Sequence, residues 1–195
     1  NGKYAARVEV GQPVGAFYGY RYLGVYKDKD ATYARDASGN IMNDVHGKPI
    51  VMKNLTKACQ PGDAIYEDIN HDGVINQYDI VYLGNYNPVL TGGAGLTVKY
   101  KQVSLSAFFH GRFGQSIVNT ARMNNESMYS DDNQSTAVLR RWRNEGDVTD
   151  IPRALYKEGY NYLGSDRFVE DASFIRLQNI RVAYDLPENW IKKLM

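Results

Sequence analysis

Apolar and polar side chains alternate in two neighbouring stretches of this chain, a pattern typical of β-strands with one apolar face. Residues 96–101 read LTVKYK and residues 103–109 read VSLSAFF. Successive side chains of a β-strand point to opposite faces, so each stretch places its apolar residues together on one face. These residues are Leu96, Val98 and Tyr100 in the first stretch and Val103, Leu105, Ala107 and Phe109 in the second. The pattern predicts an antiparallel hairpin with a minimal turn near Lys101 and Gln102.

Three further stretches are predicted to be strands, over residues 4–10, 14–26 and 167–184. The first alternates, and the second is rich in Tyr and punctuated by Gly, which favours a strand over a helix. In the third, the apolar residues change phase part-way along. One phase holds Ile175 and Leu177, and the other holds Ile180, Val182 and Tyr184. This change predicts a β-bulge near Asn179.

Two long polar segments, residues 27–92 and 111–166, separate the strands, whereas the turns at residues 11–13 and 101–102 are short. If the strands run alternately up and down, both long segments lie on one side and the short turns on the other. That asymmetry is typical of outer-membrane barrels. We therefore predict an all-β fold, an antiparallel transmembrane β-barrel segment with long extracellular loops. About five strands cannot close a barrel, which needs roughly eight, so we expect part of a larger barrel.

An acidic loop at residues 68–79, DINHDGVINQYD, has the spacing of an EF-hand-like cation site. The predicted ligands, in chain order, are Asp68, Asn70, Asp72, Val74 (through its carbonyl), Asn76 and Asp79, with Gly73 supplying the bend. We predict a structural calcium ion. Asp79 stands where the longer Glu is usual, so magnesium is a second candidate. The alternative is a turn in which Asp and Asn side chains bond their own backbone without metal.

Several other function classes find little support in the composition. The formal net charge is +1, so electrostatic attraction does not indicate a nucleic-acid partner. Cys59 is the single cysteine, and the three histidines lie far apart in sequence. No Gly-x-Ser-x-Gly motif is present, so we expect no enzymatic activity. No run of eighteen apolar residues occurs, which argues against a membrane-spanning helix.

Several blocks of the sequence, taken together, closely resemble the C-terminal barrel region of SusC/RagA-type TonB-dependent outer-membrane transporters. The blocks occur in the order of that family and span nearly the whole chain. They are residues 11–20 (GQPVGAFYGY), 61–63 (PGD), 68–73 (DINHDG), 83–88 (LGNYNP), 108–114 (FFHGRFG), 150–153 (DIPR) and 167–180 (RFVEDASFIRLQNI).

This resemblance implies a plugged barrel of about 22 strands in the outer membrane of a Gram-negative bacterium. Such a transporter imports glycan or peptide fragments beneath a SusD-like surface lipoprotein and takes its energy from the TonB complex. We expect the plug and the TonB-contacting segment to lie outside this chain, so this chain alone would not transport. Outer-membrane lipid would contact the apolar hairpin face, with Thr97, Lys99, Ser104 and Ser106 toward the lumen.

The second long segment, residues 111–166, holds a predicted short helix over residues 135–142 with Ser135 as its cap. It also holds three aromatic residues that are candidates for stacking on a sugar ligand: Tyr129, Trp142 and Tyr160. The alternative is that these rings form a small core for the loop.

The competing function is a soluble, secreted, β-rich module that binds carbohydrate or protein through calcium. A dockerin-like pair would contain the acidic loop twice, and it occurs once. A soluble sandwich would bury the face formed by Leu96, Val98 and Tyr100 against a second sheet, whereas a barrel exposes it to lipid. Membrane fractionation of the native protein separates the two functions.

Overall fold

The structure is a computed structural model, and it describes residues 4–5 and 8–187. The chain divides into two compact units. The first combines Asn1–Asn85 with Ile117–Glu170, and the second combines Tyr86–Ser116 with Asp171–Met195.

Short strands dominate the described residues. In chain order they are β1 (Ala16–Gly19), β2 (Tyr22–Val25), β3 (Lys53–Asn54), β4 (Lys57–Ala58), β5 (Ala64–Tyr66), β6 (Val74–Ile75), β7 (Val81–Asn85), β8 (Leu90–Tyr100), β9 (Val103–Phe113), β10 (Ser116–Val118), β11 (Val169–Asp171) and β12 (Phe174–Tyr184). The described α-helix is α1 (Thr120–Glu126), and 3-10 turns occur at Asp30–Thr32, Gln77–Asp79, Thr136–Arg140, Tyr160–Tyr162 and Asp166–Phe168. None of the described helices is long and apolar enough to cross a membrane.

The second unit is an antiparallel sheet with the strand order β12-β9-β8. The predicted hairpin is confirmed, and its strands extend beyond the predicted ends, from Leu90 to Phe113. The residue at its turn, Lys101, has a positive φ of 53°, which lets two residues reverse the chain.

The predicted β-bulge is also confirmed. Leu177 pairs with Phe109 and Asn179 pairs with Phe108, so Gln178 is the extra residue of β12. β12 begins at Phe174 rather than at the predicted residue 167, because Asp166–Phe168 forms a 3-10 turn and Val169–Asp171 forms β11, which pairs with β10.

One face of this sheet is apolar across all of its described strands. The pairs on it are Leu96 with Ala107, Val98 with Leu105, Tyr100 with Val103, Ala107 with Ile180, Leu105 with Val182, and Val103 with Tyr184. Its large side chains are exposed, with Leu96 at 63% and Val182 at 70%. The opposite face carries polar pairs, Thr97 with Ser106 and Lys99 with Ser104. The predicted division of the hairpin into an apolar and a polar face is therefore confirmed.

The first unit contains sheets of two or three short strands. β1 pairs with β7 and β2 with β5, both antiparallel, whereas β3 pairs with β4 antiparallel and with β6 in parallel. The prediction of one spanning strand over residues 14–26 is wrong. A membrane-spanning strand needs about 9–11 residues, and β1 and β2 have 4 each.

The chain leaves the β1 ladder after Gly19, where Tyr20 N donates to the Gly164 carbonyl at 2.9 Å instead of to β7. A Cβ atom on Gly19 would lie 2.3 Å from the carbonyl oxygen of Gly164, so only glycine fits there. Tyr18, next to it, is completely buried. Of the predicted strand over residues 4–10, Ala6 and Arg7 lie outside the described residues, and Ala5 forms an isolated bridge with Tyr18. The turn at residues 11–13 therefore does not connect two spanning strands.

Two apolar clusters form the core of the first unit. The larger cluster consists of Tyr26, Ala34, Met52, Cys59, Ala64, Tyr66 and Ile75, and the smaller consists of Met128, Val138 and Ile151. Burial raises the pKa of Cys59 to about 12, so its thiol stays protonated at neutral pH. The predicted short helix is the 3-10 turn Thr136–Arg140, and the Ser135 side chain caps it by accepting a hydrogen bond from the Ala137 N–H.

Candidate functional site

The first half of the acidic loop gathers side-chain oxygens around two backbone N–H groups. The Asp68 carboxylate accepts hydrogen bonds from Gly73 N at 2.7 Å and from Asp72 N at 3.3 Å. The Asn70 side-chain oxygen accepts a second bond from Asp72 N at 3.2 Å. Gly73 has a φ of +79°, as the sharp bend of a cation loop requires. The structure therefore brings together Asp68, Asn70 and Asp72, the first three predicted ligands.

The last predicted ligand, Asp79, lies in a different setting. Its side chain is fully buried, and its two oxygens accept hydrogen bonds from Ile69 N at 2.9 Å and Asn76 N at 2.7 Å. The Asn76 side chain accepts from Tyr78 N, and Asn76 and Asp79 form a reciprocal capping box at the 3-10 turn. Burial raises the pKa of Asp79, and the two backbone hydrogen bonds oppose that shift.

The donor chemistry of this loop suits a hard cation, because every predicted ligand atom is an oxygen. Among the described residues, no group of three or more His, Cys, Asp or Glu side chains is arranged to hold a metal ion. A cation at this loop would draw on Asp68, Asn70, Asp72 and solvent. The Asn76 side-chain amide donates to the Val74 carbonyl at 3.0 Å, so these two predicted ligands are bonded to each other, and Asp79 holds the turn. Hydrogen bonds from the loop backbone to Asp and Asn side chains are also what the metal-free alternative predicts.

The three predicted ligand-contacting aromatic residues lie in different surroundings in the first unit. The Trp142 ring covers Gly62, where a Cβ atom would lie 2.3 Å from the indole, and the buried Trp142 N–H has no hydrogen-bond partner among the described residues. The Tyr129 ring packs edge-on against Tyr162 at a centroid distance of 5.6 Å. Both arrangements are those of a small loop core.

Tyr160, by contrast, lines a shallow cavity of about 270 Å³ with Asn54, Leu55, Thr56, Lys57, Gly159 and Leu163. The Lys57 ammonium lies 5.2 Å from the centroid of the Tyr160 ring. The Tyr160 phenol oxygen accepts a hydrogen bond from the Arg153 guanidinium at 3.3 Å. Tyr160 is thus the one of the three predicted ligand-contacting residues that borders a described cavity.

A buried polar cluster that the sequence did not indicate joins the two halves of the first unit. The Arg153 Nε donates to Asp63 at 2.7 Å, and the Asn161 amide donates to the same Asp63 oxygen at 3.3 Å. The Asn161 side-chain oxygen in turn accepts from Ala64 N at 2.9 Å. Asp63 is fully buried, so this ion pair and its hydrogen bonds tie residues that lie 90 positions apart. The PGD and DIPR blocks contain Asp63 and Arg153, but nothing in either block indicates the pairing.

Extended strands that expose one apolar face and one polar face, joined to a compact polar unit rich in turns, define a class of protein. This class is the segment of an outer-membrane β-barrel with its large loops.

Comparison with known proteins identifies a family within this class. TonB-dependent receptor P26 of Formosa agariphila is 33% identical over 181 residues, covering 93% of this chain and 16% of that protein. TonB-dependent receptor P3 of the same organism is 28% identical over 183 residues, covering 94% of this chain and 16% of that protein. A solved structure of the RagAB peptide transporter matches with a TM-score of 0.61 and 20% identity, over 90% of this chain and 16% of that one. No family model matches the chain.

The chain belongs to the TonB-dependent receptors, as a segment of the β-barrel, and the fold of the RagAB structure supports the predicted resemblance to SusC/RagA-type members. It spans about 16% of the length of the curated relatives P26 and P3. The predicted all-β barrel fold is confirmed by the same comparisons.

Proposed function

We propose that this chain is part of an outer-membrane importer that takes up peptide or glycan fragments in a TonB-dependent manner. The observation that carries the proposal is the exposed, uninterrupted apolar face of the sheet formed by β8, β9 and β12. Such a face is stable against lipid and unstable against water. The names of the relatives P26 and P3 support TonB dependence, and RagAB, a structural neighbour, is a peptide transporter. We propose no catalytic role for the segment.

The proposed partners follow from the same reasoning. Outer-membrane lipid would cover the apolar face, a TonB complex would supply energy through parts of the receptor beyond this segment, and a SusD-like lipoprotein would cover the extracellular side. The name RagAB indicates two components, A and B, and this supports the proposal of a second protein that acts with the receptor. Purification of the receptor from native membranes in mild detergent, followed by mass spectrometry, tests for the lipoprotein.

Fractionation and uptake together test the import function. We expect the receptor in the outer membrane of a Gram-negative host, and we expect deletion of its gene to abolish uptake of at least one class of labelled peptide or oligosaccharide. Restoring the gene should restore that uptake only when TonB is intact. Release of the protein into the culture medium, with unchanged uptake in the deletion strain, would instead support the secreted calcium-dependent binding module.

We also propose that the acidic loop at residues 68–79 binds calcium, or magnesium, in a structural role. The convergence of Asp68, Asn70 and Asp72 supports this proposal, as does the lack of any Lys or Arg between Ala58 and Val98. A bound cation would hold the loop in one conformation and so reduce the ordering cost when a ligand or lid docks.

A double variant, Asp68→Ala with Asp72→Ala, is expected to lose the rise in Tm that calcium gives the purified receptor, because two of the three clustered ligands are removed. Differential scanning fluorimetry in calcium, in magnesium and in EDTA measures the effect. The matched control is Asp44→Ala. Asp44 also accepts two backbone N–H bonds in an exposed turn, from His46 and Lys48, but it lies outside the acidic loop. An unchanged calcium response in the double variant removes the metal proposal.

A further inference from the structure

A groove of about 280 Å³ opens in the first unit, and it includes none of the aromatic residues that the sequence predicted to contact ligand. Its floor contains Tyr26, Met52 and Tyr66, which are 3%, 6% and 3% exposed. The Tyr66 hydroxyl already accepts a hydrogen bond from Leu163 N at 3.0 Å. The floor is therefore apolar in character and offers few free polar atoms.

Leu23 forms one wall of this groove because of a local irregularity in β2. Tyr22 pairs with Tyr66 and Gly24 pairs with Ile65, so Leu23 is an extra, unpaired residue between them. A β-bulge of this kind redirects a side chain, and bulges are over-represented next to functional sites. Leu23 is 58% exposed although it borders the buried floor. An apolar ligand that covered this side chain would remove its contact with water.

The rim of the groove is acidic. Asp36, Glu67 and Asp68 contribute three carboxylates, and against them stand one guanidinium, from Arg35, and one imidazole, from His71. Glu67 is paired with Arg21, but no Lys or Arg side chain of the described residues forms an ion pair with Asp36 or Asp68. The rim thus carries a negative charge that suits a cationic ligand group.

We propose that this groove is a ligand subsite for a peptide in which an apolar side chain stands next to a lysine or arginine. The apolar side chain would cover Leu23 and the floor, and the cationic side chain would lie against Asp36, whereas Asp68 stays with the acidic loop. Aliphatic walls such as Leu23 and Ile65 cannot bond sugar hydroxyls, so a peptide fits better than a glycan. The inference rests on the proposed import function and specifies its substrate class.

Isothermal titration of the full-length receptor in detergent with the peptide Gly-Lys-Phe-Lys-Gly tests the inference. EDTA is present throughout, so that a cation in the acidic loop plays no part. We expect Leu23→Ser to weaken binding about tenfold, the size expected for losing part of a leucine contact. We expect Asp36→Asn to weaken it about threefold and to reduce its salt dependence. The acidic peptide Gly-Glu-Phe-Glu-Gly is expected to bind more weakly than the basic one.

The matched control is Leu139→Ser, because Leu139 is a leucine of the same unit, 64% exposed, and does not line the groove. It should bind the basic peptide as the native receptor does. Equal binding by the native receptor and Leu23→Ser, equal binding of both peptides, or no binding of the basic peptide overturns the subsite. None of these results affects the import function, which fails only if gene deletion leaves uptake of every nutrient class unchanged.

Discussion

At the scale of single residues, buried polar groups hold the first unit together. Asp63 is fully buried, and a buried carboxylate is stable only when other groups replace the water that it has lost. Arg153, Asn161 and the backbone N–H of Gln60 supply that replacement. All three donors must be in place at once, so the cluster specifies one arrangement of the two halves of the unit.

Asp63→Ala is expected to destabilise this arrangement by about 2–4 kcal/mol, because it leaves the partly buried Arg153 guanidinium without its partner. Hydrogen exchange of the receptor, followed at the amides of residues 60–66 and 150–163, measures the local free energy of opening. Lys57→Ala is the matched control, since the Lys57–Glu158 pair joins the same halves but is half exposed. It should cost under about 1 kcal/mol. Equal protection in the two variants would contradict the structural role of Asp63.

At the scale of elements, β12 shows how one residue decides which face a strand presents. Ile175 and Leu177 are separated from Ile180 and Val182 by an odd step in sequence, so a regular strand would place the two pairs on opposite faces. With Gln178 as an extra residue, Leu177 faces Phe109 and Ile180 faces Ala107, both on the apolar face. The bulge thus keeps a strand of mixed phase amphipathic.

Deletion of Gln178 is expected to preserve membrane insertion, because the remaining residues can pair with β9 in a regular ladder and keep the same apolar face. Deletion of Arg181, three residues later, should lower the amount of folded receptor several-fold, because Val182 and Tyr184 then shift to the polar face. Heat-modifiable electrophoretic mobility of outer-membrane fractions measures the folded fraction. The bulge would have no such role if both deletions behaved alike.

At the scale of the whole chain, two kinds of structure coexist, and each has its own source of stability. The sheet of β8, β9 and β12 exposes its apolar face, and under the proposed function lipid and neighbouring strands stabilise it. The first unit buries two apolar clusters of its own and uses hydrogen bonds and ion pairs between distant residues. The sheet has the structure of a barrel wall, and the first unit is loop structure that packs around its own core.

Leu96→Lys is expected to reduce insertion strongly, by about 2–4 kcal/mol, because it places a charge near the middle of the apolar face. Thr97→Lys is the matched control, because Thr97 is adjacent to Leu96 in the same strand but lies on the opposite, polar face. It should insert normally. Protease protection of intact cells measures insertion, and normal insertion of Leu96→Lys would show that the apolar face does not contact lipid.

The extended part of the fold could be predicted from the sequence with good detail. The hairpin, its two-residue turn, the separation of its faces and the bulge near Asn179 all follow from a period of two in the side chains. That period is a local property, so neighbouring residues in the chain suffice to define it. The oxygen-rich loop at residues 68–79 could also be predicted, because the spacing of its Asp and Asn residues is a local property of the sequence.

The first unit could not be predicted in this way. Residues 14–26 have strand-like composition, but their partners, β5 and β7, lie about forty or more residues further on in what looked like a loop. The Asp63–Arg153 pair and the groove beside Leu23 likewise combine residues from distant parts of the chain. The sequence by itself determined the amphipathic strands, because their pattern depends on adjacent residues. Only the tertiary structure decided the buried pairs and the groove, because these depend on which distant segments pack together.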